Sequence, residues 1–494
     1  MRVSKRGVLL AAALVLALCL ALCAALLVPE GYIVFEGNVI DLLDGEFPVV
    51  ETLPGGQWIN VPVFVHALTL LWGAAAIVWE LTAKEVKLHR LTLVLLLLAG
   101  TMSVLCRPAL EYYGWDEMTH RELVYIFSGY DRYSLSEYVM QLSTWFFGYM
   151  PYTLGVAVSN ALHLPEAVIL RTGSMVSVIL YAVMASLAVK HTPRCKMTFM
   201  IFALMPTVLI QSSYFTYDGT VIAYLLLAVA LLLEEMQTPD RRLGSGRSLA
   251  LVALMVIGTI AKPAYSVFLL LLWMLPAGKF GGRKRQTVFR LFVLLMLAMC
   301  LFSMTLGTYD NVAHGDSRMD GANSAGQIAH ILSDPGGFLN MLLTYLKVVG
   351  LSLFTAATAS WAYLGASGDI ATLLMWMFFI VCPLCSIGEQ RPLSGLTARR
   401  RIWMGVLAWV PVLALIITQY IVSSPVGESV IVGMQPRYTL PVMVVLSLAL
   451  AWPRDVRAKL APLNRPLAFA LLACSWCALY AFVADQVLRL YFGL

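Results

Sequence analysis

The amino-acid sequence predicts an all-α polytopic membrane protein with about 13 transmembrane helices. Three observations predict it. Hydrophobic residues make up 60% of the 494, charged residues only 13%, and the mean hydropathy is +0.80. Soluble domains run near 25% charged. Many runs of 15–22 residues carry few or no charges, about the length that crosses a bilayer as a helix. Finally, most Lys and Arg residues fall in short segments between those runs. Soluble nucleotide-binding, barrel and nucleic-acid-binding classes are excluded on this composition alone.

Taken in order, the expected spans are 8–28, 61–81, 92–106, 166–189, 197–213, 219–235, 248–262, 264–277, 289–306, 368–387, 402–421, 438–452 and 466–485. The first follows Met1-Arg-Val-Ser-Lys-Arg6, and its apolar run from Gly7 to Val28 exceeds the core of a cleaved leader, so an uncleaved anchor is expected. With the N-terminus cytoplasmic, the inner segments 1–7, 82–91, 190–196, 236–247, 278–290, 388–401 and 453–465 hold 25 of the 34 Lys and Arg residues. Short cytoplasmic loops carry that excess. Residues 339–360 are apolar enough to span, but counting them would turn Arg399-Arg400-Arg401 outward. They are read instead as a re-entrant or interfacial helix on the outer side, with Lys347 facing water.

The chain then divides into N-terminal helices with an acidic outer loop (1–106), a large extracytoplasmic loop with amphipathic helices (107–165) and a helical core (166–306). A second outer loop with the re-entrant helix (307–367) and the C-terminal helices (368–494) follow. The CxxC pairs Cys382/Cys385 and Cys474/Cys477 sit in apolar runs and read as packing residues, as free Cys usually is.

Under this topology every long polar segment is outer, so function is expected on the extracytoplasmic face. Residues 107–165 carry Trp115-Asp116-Glu117-Met118-Thr119-His120. In a helix, Asp116 and His120 lie one turn apart on one face. Adjacent carboxylates can raise one pKa toward the range of a general base, and carboxylates with His can hold a divalent cation. A solvated loop with a capping acid is the plain alternative. The segment from Glu111 to Tyr152 contains 13 aromatic residues in 42. They suit interfacial helices, or a platform for sugar rings or a lipid tail. Tyr214-Phe-Thr-Tyr217-Asp218-Gly219 turns between two spans, with Asp218 placed as an N-cap. Lys262-Pro-Ala-Tyr265 forms an outer hairpin tip. Gln435-Pro-Arg437-Tyr438 opens a helix, where a cation opposes the macrodipole and needs an acidic or phosphate partner. The loop from Tyr309 to Asp334, with His314, Asp316, Arg318, Asp320 and His330, is a weaker candidate for metal or acceptor binding.

The ordered set Asp116-Glu117-Met-Thr-His120, Asp218-Gly-Thr220, Lys262-Pro-Ala-Tyr265 and Gln435-Pro-Arg437-Tyr438-Thr-Leu-Pro441 resembles an uncharacterised bacterial family of predicted membrane proteins grouped with the GT-C glycosyltransferases. The likeness covers roughly 105–450 and departs from the family pattern at Trp115 and Pro436. It implies a GT-C-like transferase in the cell membrane. The enzyme would move a sugar, with inversion, from a polyprenyl-phosphate donor to a cell-envelope glycan or glycolipid acceptor. In that reading Asp116 or Glu117 is the base and His120 orients it or joins a Mg or Mn site with both. Lys262, Arg437, Tyr438 and Gln435 then hold the donor phosphate, supported by Asp218 and Tyr265. A transporter or flippase of lipid-linked sugars, or a non-catalytic envelope assembly protein, are the alternatives.

Overall fold

The computed structural model describes residues 13, 15–21, 32–34, 49–51, 61–106, 116–129, 146–307, 314–316, 319–361, 367–389, 396–451 and 454–492. It is helical apart from one antiparallel strand pair, Tyr32–Val34 with Val49–Glu51. Of the first expected span, residues 13 and 15–21 are helical and the rest lies outside the described residues.

The fold is organised around α1, Asp218–Gln237, a 20-residue helix of which 94% of the apolar window is buried. A helix apolar on every face is stable only when surrounded. At 1.5 Å per residue it covers about 30 Å, the hydrocarbon thickness of a bilayer. Its acidic residues stand at its ends, Asp218 at one and Glu234 and Glu235 at the other. Around it pack Glu166–His191 and Ser245–Ile260.

The Glu235 end collects the basic loops. Glu235 pairs with Lys279 at 2.6 Å, Arg241 at 2.8 Å and Arg247 at 3.2 Å, while Glu389 takes Arg457 at 2.6 Å and the Cys195 amide at 2.7 Å. Arg465 donates to the Ala83 and Lys84 carbonyls. The described residues of segments 82–91, 190–196, 236–247, 278–290, 388–401 and 453–465 therefore meet at one end of the bundle, where Glu235, Glu389 and backbone carbonyls offset their charge.

Among the described residues eight helices are long and apolar enough to cross a membrane, or nine if Lys196–Ala203 and Pro206–Ser213 form one bent span. Those two meet at 56°, because Pro206 has no N–H to continue the ladder and disfavours the helical conformation at Met205. Four expected spans are shorter helices: Ser245–Ile260, Pro263–Met274, Gly368–Leu384 and Pro436–Leu450. Pro263–Met274 winds as a 3-10 helix, so its 12 residues reach about 24 Å where an α-helix would reach about 18 Å.

The segment expected to be re-entrant is a 22-residue helix, Pro335–Ala356, long enough by itself to span. Asp334 caps it by accepting the Gly337 amide at 2.8 Å. Its neighbours define its depth. Phe338 stacks on Tyr420, near the end of Ala398–Ser423, whereas Phe354 lies edge-on to Trp409, midway along that helix. The chain then turns: Thr358 donates to the Ala371 carbonyl and the Ser360 amide to Thr207 Oγ1. Gly368–Leu384 carries it on to the Glu389 end. Lys347 is exposed. Cys382 and Cys385 are buried and unbridged, whereas Cys474 and Cys477 are exposed along Asn464–Phe492.

Two helices of the large loop, Glu117–Ser128 and Phe146–Ala161, pack on each other through Leu123, Val124, Tyr149, Tyr152 and Phe215. Tyr149 and Tyr152 are fully buried and Phe127 meets Phe146 edge-on, so these rings serve packing. Tyr112, Tyr113, Trp115, Tyr130, Tyr133, Tyr138 and Trp145 lie outside the described residues.

One glycine sets the start of α1. A Cβ on Gly219 would lie 2.6 Å from the Gln211 carbonyl oxygen and the Ser212 Cα, both backbone. Gly219→Ala is expected to cost about 1–3 kcal/mol, as overpacking does. Gly246→Ala, with nothing within 4 Å, is expected to be neutral. Thermal unfolding of the two variants in detergent checks the contrast; equal midpoints would contradict it.

Candidate functional site

Four chain segments bring charged side chains together at the Asp218 end. Asp116 stands just before the helix Glu117–Ser128 with φ 55°, a left-handed conformation that Asp tolerates better than most residues. Its Oδ2 accepts from Arg437 Nη2 at 2.9 Å. Arg437 Nη1 lies 3.3 Å from Asp218 Oδ2, and Lys262 Nζ 3.8 Å from Asp218 Oδ1. Lys262 also sits 3.5 Å above the Tyr438 ring centroid and 5.5 Å from that of Tyr217. Tyr265 fixes this wall by donating its hydroxyl to the Tyr438 carbonyl at 2.8 Å. The residues are 321 positions apart at the extreme.

The cluster is electrostatically closed: two carboxylates face two cations. Arg437 thus receives the acidic partners that a cation at a helix start requires. Side-chain exposure grades outward, from 2% at Arg437 and 5% at Asp218 to 12% at Lys262 and 31% at Asp116. Asp218 is the shared inner counter-ion and Asp116 the rim.

Behind the rim sits His120. Its Nδ1 is hydrogen-bonded to the Tyr149 hydroxyl, and Tyr217 lies edge-on to both rings at 5.3 and 5.9 Å. Burial pulls the His120 pKa down to about 3, with Arg437 acting the same way. Burial likewise pushes the Tyr149 and Tyr217 hydroxyls far above the usual phenol range. His120 is therefore a neutral imidazole at physiological pH, and its Nε2 is buried with no hydrogen-bond partner among the described residues. Because the folded pKa is depressed below about 6.5, the unfolded chain binds the extra proton, and this group's contribution to stability falls as pH drops from about 6.5 toward 3. NMR of ring-labelled protein is expected to show His120 neutral at pH 5; an imidazolium signal there would contradict this environment.

Glu117 does not join Asp116. Successive helical residues point about 100° apart, and Glu117 turns inward to Arg121 at 3.5 Å, both buried. The Asp116, Glu117 and His120 trio expected for Mg or Mn is thereby corrected. Among the described residues no three His, Cys, Asp or Glu side chains group closely enough to hold a metal ion. His314, Asp316, Asp320 and His330 form no such group either, and Arg318 lies outside the described residues.

Gln435 precedes the turn Pro436–Thr439, and its buried Oε1 has no hydrogen-bond partner among the described residues. Sequence reasoning passed over three contributors. Tyr149 was one aromatic among 13, and Tyr217 lay unremarked within the turn string. The Glu117–Arg121 pair was legible as an i,i+4 spacing.

A buried cluster of paired charges at the end of a bundle of apolar helices defines a polytopic membrane protein with a polar site at one end. The chain belongs to the family described as predicted membrane protein DUF2142, which matches residues 146–446. That match contains Asp218, Lys262, Tyr265, Gln435, Arg437 and Tyr438 and stops short of Asp116, Glu117 and His120. No curated protein and no solved structure matches the chain.

Proposed function

We propose that the protein is a GT-C-like glycosyltransferase of the cell membrane. It would transfer a sugar from a polyprenyl-phosphate donor to a cell-envelope glycan or glycolipid on the extracytoplasmic face, with its N-terminus cytoplasmic. The observation that carries this reading is the convergence of Asp116, Asp218, Lys262 and Arg437 within hydrogen-bonding or ion-pairing distance. A scaffold has no use for so costly a buried arrangement at its polar rim. A transporter is less well supported, since α1 carries no Asp, Glu, Lys, Arg or His between Asp218 and Glu234.

In the proposed reaction the acceptor hydroxyl gives its proton to the Asp116 carboxylate while its oxygen bonds to the anomeric carbon. The bond from that carbon to the lipid-phosphate oxygen breaks, and the electron pair leaves on the phosphate. Arg437 offers a bidentate fork and Lys262 a point charge to that anion. Arg437 is held by Asp116 in the closed cluster, so phosphate binding and release of Asp116 are one exchange. The base becomes available only when the donor has arrived. His120 Nε2 and Gln435 Oε1, both lacking partners among the described residues, would face donor or acceptor hydroxyls. The donor set around Asp116 does not fit a metal ion, and no step is written through one.

The test is to incubate purified protein with a panel of polyprenyl-phosphate sugars and envelope acceptors. Consumption of one donor with formation of a new glycosidic bond is expected. Translocation of labelled donor in proteoliposomes with no new bond would replace the enzyme by a flippase.

A further inference from the structure

We propose that a cleft at the opposite, basic end binds the phosphate headgroup of an anionic phospholipid. The cleft, about 590 Å³, lies between Pro263–Met274, Arg283–Gly307 and Ala398–Ser423. That volume suits a small polar headgroup. Three arginines, Arg290, Arg399 and Arg400, line it together with Gln286 and Thr397, and among the described residues no carboxylate does. Elsewhere at this end Lys279, Arg241 and Arg247 pair with Glu234 or Glu235, and Arg457 with Glu389.

A structural role accounts for part of this. Arg290 donates to the Trp273 carbonyl at 3.1 Å, Arg400 to Met274 at 2.8 Å and Gln286 to Leu275 at 2.8 Å, capping the last turn of Pro263–Met274. Magnitude decides what remains. A helix C-terminus presents about half a negative charge, whereas three guanidinium groups bring three positive ones, so the cleft stays strongly cationic. Arg290 uses one Nη2 for this cap, of the five N–H donors that a guanidinium carries. Among the described residues the Arg290 Nε and Trp273 Nε1 are buried without hydrogen-bond partners.

The surroundings select a lipid over a soluble anion. Ile402 and Val406 line the cleft and are exposed, and Val288, Leu291 and Phe292 expose a further apolar strip on the adjoining helix. Trp273 and Trp403 stand at the junction, where Trp collects at the edge of the hydrocarbon. Acyl chains would follow the apolar strip while the phosphate meets the arginines. Basic pockets between helices on the cytoplasmic side take anionic headgroups in this way.

The experiment is native mass spectrometry of the full chain in detergent, with phosphatidylglycerol and phosphatidylcholine supplied equally. Wild type is expected to retain phosphatidylglycerol by about tenfold over phosphatidylcholine. Arg399→Gln, at an exposed side chain outside the helix cap, is expected to lower phosphatidylglycerol retention about fivefold, the weight of one basic side chain near an anionic surface. Lys284→Gln, also exposed but not lining the cleft, should leave it unchanged. Equal retention of both lipids by wild type, or equal effects of the two substitutions, would overturn the site. Displacement of bound phosphatidylglycerol by 10 mM inorganic phosphate alone would overturn the lipid as its occupant.

Discussion

Arg437→Gln is expected to cost the protein about 3–5 kcal/mol of stability, the penalty for removing one partner of a buried ion pair. Folded proteins hold only about 5–15 kcal/mol in total, so most of the fold's reserve would go. Arg437 is 2% exposed and bridges Asp116 at 2.9 Å and Asp218 at 3.3 Å. Without it Asp218 keeps only Lys262, at 3.8 Å, and must remain buried at the start of the central helix. Arg437→Lys should fall in between, because an ammonium cannot span both carboxylates as the guanidinium fork does. Detergent thermal-unfolding midpoints in the order wild type, Lys, Gln are the expected result. A glutamine variant as stable as wild type would mean that the bridge does not exist.

Asp116→Asn is expected to leave the chain folded and inserted while lowering sugar transfer by about 10²–10⁴-fold, the usual cost of a lost general base. Asn tolerates the left-handed backbone at this position as Asp does, and Arg437 keeps Asp218 as its counter-ion. Glu117→Gln should behave differently. It leaves the buried Arg121 without its acidic neighbour, so it is expected to lower the unfolding midpoint with activity per folded molecule little changed. Side-by-side donor turnover and melting curves separate the two roles. Full activity in Asp116→Asn, or a selective catalytic loss in Glu117→Gln, would reverse the assignment.

The bundle was largely legible because the signals that predict it are collective. Long apolar runs and basic loops constrain one another, and the described residues of the inner segments after 1–7 reappear at the Glu235 end. Where the expected spans and the helices differ, the cause is local. Pro206 bends one span, Pro263 opens a 3-10 winding, and Pro335 with the Asp334 cap starts a helix long enough to cross. At the candidate site, the residue types at 116, 218, 262 and 437 announced themselves as ionisable groups at the ends of apolar helices. Their pairing did not, because no local pattern says that Arg437 reaches across 321 positions to Asp116 and leaves the phosphate-binding reading dependent on exchange. The inward turn of Glu117 was hidden for the opposite reason: adjacency to Asp116 weighed more than the i,i+4 partner, Arg121, that it meets at 3.5 Å.

The measurement that bears most directly on the proposed chemistry is a cryo-EM map of the full chain saturated with a polyprenyl-phosphate donor analogue. The expected result is phosphate density between Arg437 and Lys262, with the Asp116 carboxylate turned away from the guanidinium and toward the sugar. Density for the phosphate elsewhere, with Asp116 still bonded to Arg437, would contradict it.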